Sequence, residues 1–168
     1  RCCPVGLLSL SRRVEARQID RVELQMSSPV MPEIGSASIR WSTALVTRAV
    51  VAAAIVLSRV RPAIIRWVLL RVVKRGQRPS IDRVLDIRRN VVTVSSLCAG
   101  EGCLPRSIAV AILARCYGFG VTWRTGVREY PFTAHAWIEV AGTPVGENAD
   151  LSMFITTLYA APLYLGEK

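Results

Sequence analysis

Apolar positions fall into a helical period from Ser42, with Ala44, Leu45 and Val46 followed by a run from Ala49 to Leu57. Arg48 interrupts the pattern, and Arg59 and Arg61 close it. The uncharged stretch from Ala49 to Ser58 is far shorter than the roughly 18–20 apolar residues that span a bilayer, so no transmembrane helix is predicted. Pro62 opens a second helix, in which Ile64, Ile65, Val68, Leu69, Val72 and Val73 form one apolar stripe. Arg66, Arg71, Lys74 and Arg75 occupy its other face, and Gly76 ends it. Pro79 and Ser80 then read as the turn and N-cap of a third helix, Ile81 to Ser95, with apolar Val84, Leu85, Ile87, Val91, Val92 and Val94. Residues 41–79 are therefore expected to form a basic amphipathic helical hairpin, packed on the core with a solvated Arg-rich rim. The sharper alternative is a membrane-surface helix, since Trp67 and the Arg-rich face suit an anionic interface.

Ser96 to Gly102, with two glycines and a cysteine, breaks the helical period. Cys103, Leu104, Pro105, Arg106 and Ser107 follow, then a helix pattern of Ile108, Ala109, Ile112, Leu113 and Cys116 that stops at Gly118. From Val121 the period becomes two. Val121, Trp123, Thr125 and Val127 share one face of a strand reaching Arg128. In the next strand Ala134, Ala136, Ile138 and Val140 alternate with His135, Trp137 and Glu139. Pro144 to Glu147 returns after a turn at Ala141, Gly142 and Thr143. Helices followed by antiparallel strands predict an α+β domain, with a Cys-bearing helix on a small sheet.

Composition narrows this picture. The chain has 168 residues, is 51% hydrophobic and only 20% charged, so it buries a real core and is no disordered basic tail. The net charge of +10 is unevenly placed: residues 1–90 hold 17 Lys/Arg against 6 Asp/Glu, and residues 91–168 hold 5 against 6. Such a block marks a surface for phosphates, anionic lipid or an acidic partner, or else a solvated face. Five cysteines without a CxxC pair suggest a reduced, cytoplasmic thiol protein. A single histidine excludes multi-histidine metal sites, and no cofactor is expected. Residues 1–40 read as a poorly ordered extension or one preceding the true start, with Met26 and Met31 as alternative initiators. Val5 to Leu10 is too short for a signal-peptide core.

The candidate chemistry begins at Cys103. Pro105 belongs in the first turn of a helix, which puts Cys103 at the helix N-terminus, where unpaired amides and the positive end of the dipole favour thiolate. Cys98 lacks that context, and Cys116 falls on the buried stripe. His135 is the one imidazole available to pair with Cys103. The third polar group depends on hairpin parity. A three-residue loop, 141–143, sets Trp137 opposite Glu147 and puts Glu147 on the face of His135. A two-residue loop sets Asn148 opposite His135 and turns Glu147 away. We prefer Glu147, because a carboxylate stabilises imidazolium better than an amide does; Asp150 is a further candidate. The oxyanion donor is expected to be the Cys103 N–H with one more group.

The segment SSLCAGEGCLPRS within Val94 to Val110, TGVR at Thr125 to Arg128, PFTAHAWIEV at Pro131 to Val140 and PVGE at Pro144 to Glu147 together resemble the lasso-peptide B proteins. These are transglutaminase-like (papain-like) cysteine proteases that remove the leader from a lasso precursor. The resemblance covers roughly residues 80–160, so 80–168 is expected to be the peptidase core. It implies that Cys103 is the nucleophile, His135 the base and Glu147 the third member, at a place where aspartate is frequent in the family. Because the chain begins with basic helices, it resembles the split form, the B2 leader peptidase. That form implies a lasso precursor peptide, a separate leader-recognition (B1, RRE) protein and a lasso cyclase as partners. No metal is implied, and no nucleic acid; the place of action is the cytoplasm, with contact at the inner membrane face as a further expectation. Two other readings are a transglutaminase-like acyltransferase, and a non-enzymatic basic module on residues 40–90. The second has only Trp41 and Trp67 as aromatics there and no base-reading motif.

Overall fold

The computed structural model describes residues 41–147 and 150–164. The extension expected over residues 1–40, and Asn148, lie outside the described residues. Five α-helices precede a four-stranded antiparallel sheet: α1 (Trp41–Leu57), α2 (Pro62–Val73), α3 (Ile81–Val94), α4 (Ser96–Ala99), α5 (Cys103–Cys116), β1 (Thr122–Arg128), β2 (Thr133–Val140), β3 (Thr143–Pro144) and β4 (Ile155–Ala160). The sheet order is β3-β2-β1-β4. This is the expected α+β fold, a Cys-bearing helix against a small antiparallel sheet.

Local chemistry sets the helix ends. Pro62 occupies the first turn of α2, where its missing N–H leaves no bond unmade. Ser80 caps α3 by accepting from the Arg83 N–H, and Ser95 does the same for α4 through Cys98. α5 is buried on almost every side, from Pro105 to Ala111 and again at Leu113 and Ala114. The other helices and strands β1 and β2 pack around it. Val51 and Ala54 of α1, Leu69 and Val73 of α2, Val84 and Val91 of α3, and Trp123, Ile138 and Val140 of the sheet join α5 in one hydrophobic cluster. The basic helices thus share the core of the strands. Cys116 is exposed, not on a buried stripe, because the last turn of α5 runs past the core together with Arg115 and Tyr117.

Two backbone features place the residues that follow. The β2–β3 hairpin pairs Glu139 with Pro144 and Val140 with Thr143, so its loop is the two residues Ala141 and Gly142, not the three expected. Both have positive φ, 51° and 81°, the geometry whose twist matches that of the flanking strands. Val145 continues the pairing by donating to the Ile138 carbonyl, and then Gly146, at φ 69°, breaks the extended run. Continued alternation would have set Glu147 opposite Ala136, on the face away from His135. The kink at Gly146 returns it to His135. The chain then forms a short 3₁₀ turn, Leu151–Met153, before β4.

Candidate active site

The loop before α5 is fixed by Arg106, a buried side chain that donates to the carbonyls of Cys98 at 2.9 Å and Gly100 at 3.1 Å. Ser107, one residue on, accepts from Trp123 Nε1 at 3.0 Å and so ties the helix start to β1. Cys103 is the first residue of the helix they hold, and it is partly exposed. Its N–H donates to the Glu101 carbonyl at 2.8 Å. The expected oxyanion donor is therefore already engaged.

His135 lies on β2 opposite Gly126 of β1 and lines the same cleft as Cys103. A Cβ at Gly126 would come within about 3 Å of the Trp137 ring and the Ile155 carbonyl, so only glycine leaves the ring its place. Trp137 stacks beside His135, with ring planes 11° apart, and Phe154 abuts both rings. Trp137 Nε1 donates to Glu139 at 2.9 Å, and Glu139 also pairs with Arg124. The side of β2 read as polar is thus buried at Trp137 and Glu139, its polar atoms satisfied within the protein.

His135 Nε2 is 2.7 Å from Glu147 Oε2. The Glu147 side chain is only 8% exposed, with Arg88 Nη2 3.9 Å from its other oxygen. Arg88 also donates from Nε and Nη2 to the Gly146 carbonyl, at 3.1 and 2.6 Å. This arginine clamps the backbone kink and faces the carboxylate that the kink delivers. It was not singled out from the sequence. The available signal was its place on the apolar stripe of α3, four residues after Val84 and three before Val91. Asp150, the further candidate, instead caps the 3₁₀ turn by accepting from the Ser152 N–H at 2.9 Å. Hydrogen bonds from Ser152, side chain first and then backbone, hold its carboxyl below the ordinary range.

The electrostatics of the pair favour charge separation. Burial is the largest single influence on the Cys103 thiol and pushes its pKa up. The hydrogen bond and charge of His135, the Ala136 N–H and the charge of Arg106 together outweigh it, and the thiol lies below its ordinary value. His135 is pushed up to about 9, first by its bond to Cys103 and then by Glu147, against the opposing effect of burial. Both shifts favour a thiolate facing an imidazolium over the neutral thiol and imidazole. Cys98, five residues upstream, is buried and goes the other way, its thiol raised by desolvation.

Cys103 and His135 open on a cleft of about 440 Å³. Its walls are largely apolar, with Leu104, Trp123, Val127 and Leu158 from the core side and Pro62 and Ile65 from α2. No group of acidic, histidine and cysteine side chains suited to a metal ion occurs among the described residues.

A cysteine at a helix start, beside a carboxylate-backed histidine on an antiparallel sheet, is an arrangement suited to cysteine-based transfer chemistry. The comparison with known families agrees: residues 47–159, more than half of the chain, match the transglutaminase-like superfamily. The chain belongs to that superfamily, whose members are typically cysteine-based enzymes, among them peptidases and acyltransferases. The match includes most of α1 and all of α2, in keeping with the shared core. No curated protein and no solved structure matches the chain.

Proposed function

We propose that the protein is a cysteine peptidase that removes the leader from a lasso-peptide precursor. The observation that carries the chemistry is the placing of Cys103 and His135 on one apolar cleft, with His135 Nε2 2.7 Å from Glu147 Oε2. The leader substrate is supported by the order and spacing of CLPRS, HAW and PVGE, which resemble those of the lasso-peptide B proteins.

In this reading the Cys103 thiolate attacks the carbonyl at the leader–core junction. His135, already protonated, gives its proton to the departing amine as the C–N bond breaks and a thioester forms. Water then attacks the thioester and gives one proton to His135 as base; the C–S bond breaks, the leader leaves as its carboxylate with the other proton released to solvent, and the thiolate–imidazolium pair is restored. Glu147 holds the ring by Nε2 and stabilises its positive charge. The apolar cleft lowers the local dielectric around the ion pair and strengthens both effects. The freed core amine would then pass to a cyclase, and a separate recognition protein would present the leader.

The test is mass spectrometry of a precursor incubated with this protein and its recognition partner. Free leader and free core support hydrolysis. A mass gain on an added amine, without free leader acid, replaces peptidase by acyltransferase, and an unchanged precursor contradicts both.

A further inference from the structure

Apart from the catalytic reading, α1 presents an unusual outer surface. Arg48 is its one charged residue. Thr47, Val51 and Ala54 face the core, while Leu45, Ala49, Ala52 and Val56, three or four residues apart, are exposed on the opposite side. Trp41 at the helix start is 83% exposed. A helix that is apolar all round belongs inside a core or against lipid; here about half of it is exposed, with no neighbour over it among the described residues. α2 extends the same kind of surface with exposed Ile64 and Trp67, and the Arg71 guanidinium lies 4.0 Å from the Trp67 ring centre.

Charge selects what could cover this face. Residues 41–81 contain Arg48, Arg59, Arg61, Arg66, Arg71, Lys74, Arg75 and Arg78, and no Asp or Glu. A second copy of the chain would set like charge against like. We infer that the outward side of α1 and the basic edge of α2 dock the protein on a bilayer surface rich in anionic lipid headgroups. The aliphatic stripe enters the headgroup–acyl boundary, the two tryptophans sit at that boundary, and the arginines reach outward to phosphates. No helix among the described residues is long and apolar enough to cross a membrane, so the contact lies in the surface plane. Pro62 and Ile65 of α2 also line the Cys103 cleft, so the docked face adjoins the cleft wall.

The experiment sediments the full chain with vesicles of phosphatidylcholine, with and without phosphatidylglycerol. Anionic vesicles should bind it at least about tenfold more tightly than neutral ones, with the difference shrinking as salt is raised. Leu45→Glu with Val56→Glu, both on the exposed side, should weaken binding at least about tenfold at unchanged circular dichroism and thermal unfolding. Arg66→Glu with Arg71→Glu should do the same. Protein that stays in the supernatant with anionic vesicles would overturn the proposal. So would glutamate variants that bind like the parent, or a dimer lost in the Leu45→Glu, Val56→Glu variant without any vesicle binding. None of these readouts depends on peptide cleavage.

Discussion

His135 Nε2 and Glu147 Oε2 are 2.7 Å apart, although the hairpin linking their segments is in the register that would put them on opposite faces. The contact depends on Gly146, whose positive φ ends the alternation one residue before Glu147. It depends equally on Arg88, which holds the Gly146 carbonyl and approaches the Glu147 carboxylate. An orienting carboxylate for the imidazole is thus built from a backbone kink and a buried arginine, not from strand pairing.

Gly146→Ala should break that construction. The new methyl group would meet Arg88 Nε and Cδ, and the left-handed φ disfavours any side chain. The expected cost is about 1–3 kcal/mol in stability, read by denaturant unfolding, with a disproportionate loss of activity because Glu147 leaves His135.

Arg88 acts through Glu147 and is a positioning residue. Arg88→Met removes the donors to the Gly146 carbonyl and one of the two cations facing the Glu147 carboxylate, and should destabilise the fold by about 3–5 kcal/mol. Arg88→Lys keeps the charge but not the forked donation to Gly146, and should restore stability only in part. A pH–rate profile distinguishes positioning from simple destabilisation. If Arg88 positions Glu147, the alkaline limb of the Lys variant moves to lower pH, while a merely structural role leaves it in place.

The pH dependence follows from the two shifts. The Cys103 thiol is lowered, so thiolate forms below the ordinary thiol range; His135 is raised to about 9, so imidazolium persists to that pH. Activity and Cys103 alkylation should therefore rise through an acid limb and activity should fall above about 9, both limits belonging to the coupled pair. Glu147→Gln removes a group that raises His135, so the alkaline limb should move down and the rate fall by at least about a hundredfold. An unmoved limb would remove Glu147 from the mechanism.

Leu69 tests whether the basic helices belong to the catalytic core. It is fully buried in the cluster shared with α5 and the sheet. Leu69→Ala should lower the stability of the whole domain by about 2–5 kcal/mol in a single cooperative transition. A separate early transition would make α1 and α2 an independent appendage.

What the sequence made legible was local. The position of Cys103 follows from Pro105 two residues on, and the strand carrying His135 from simple alternation. The α+β fold follows from the change of period near Val121. The route to Glu147 was not legible. Ala141 is no typical turn residue, yet it adopts positive φ and shortens the loop to two residues. The expected three-residue loop led to Glu147 by parity, whereas the chain reaches it through Gly146, whose conformation is held by Arg88 from 58 residues away. Nor did periodicity show that Pro62 and Ile65 would wall the cleft, or that Ile155–Ala160 would pair with β1, since both are tertiary contacts.

The most direct test of the account is cleavage of a lasso precursor by Cys103→Ala beside the parent protein, with circular dichroism to confirm the fold. Free leader and core are expected from the parent, and intact precursor from an equally folded variant. Cleavage by the variant at the parent rate would contradict it.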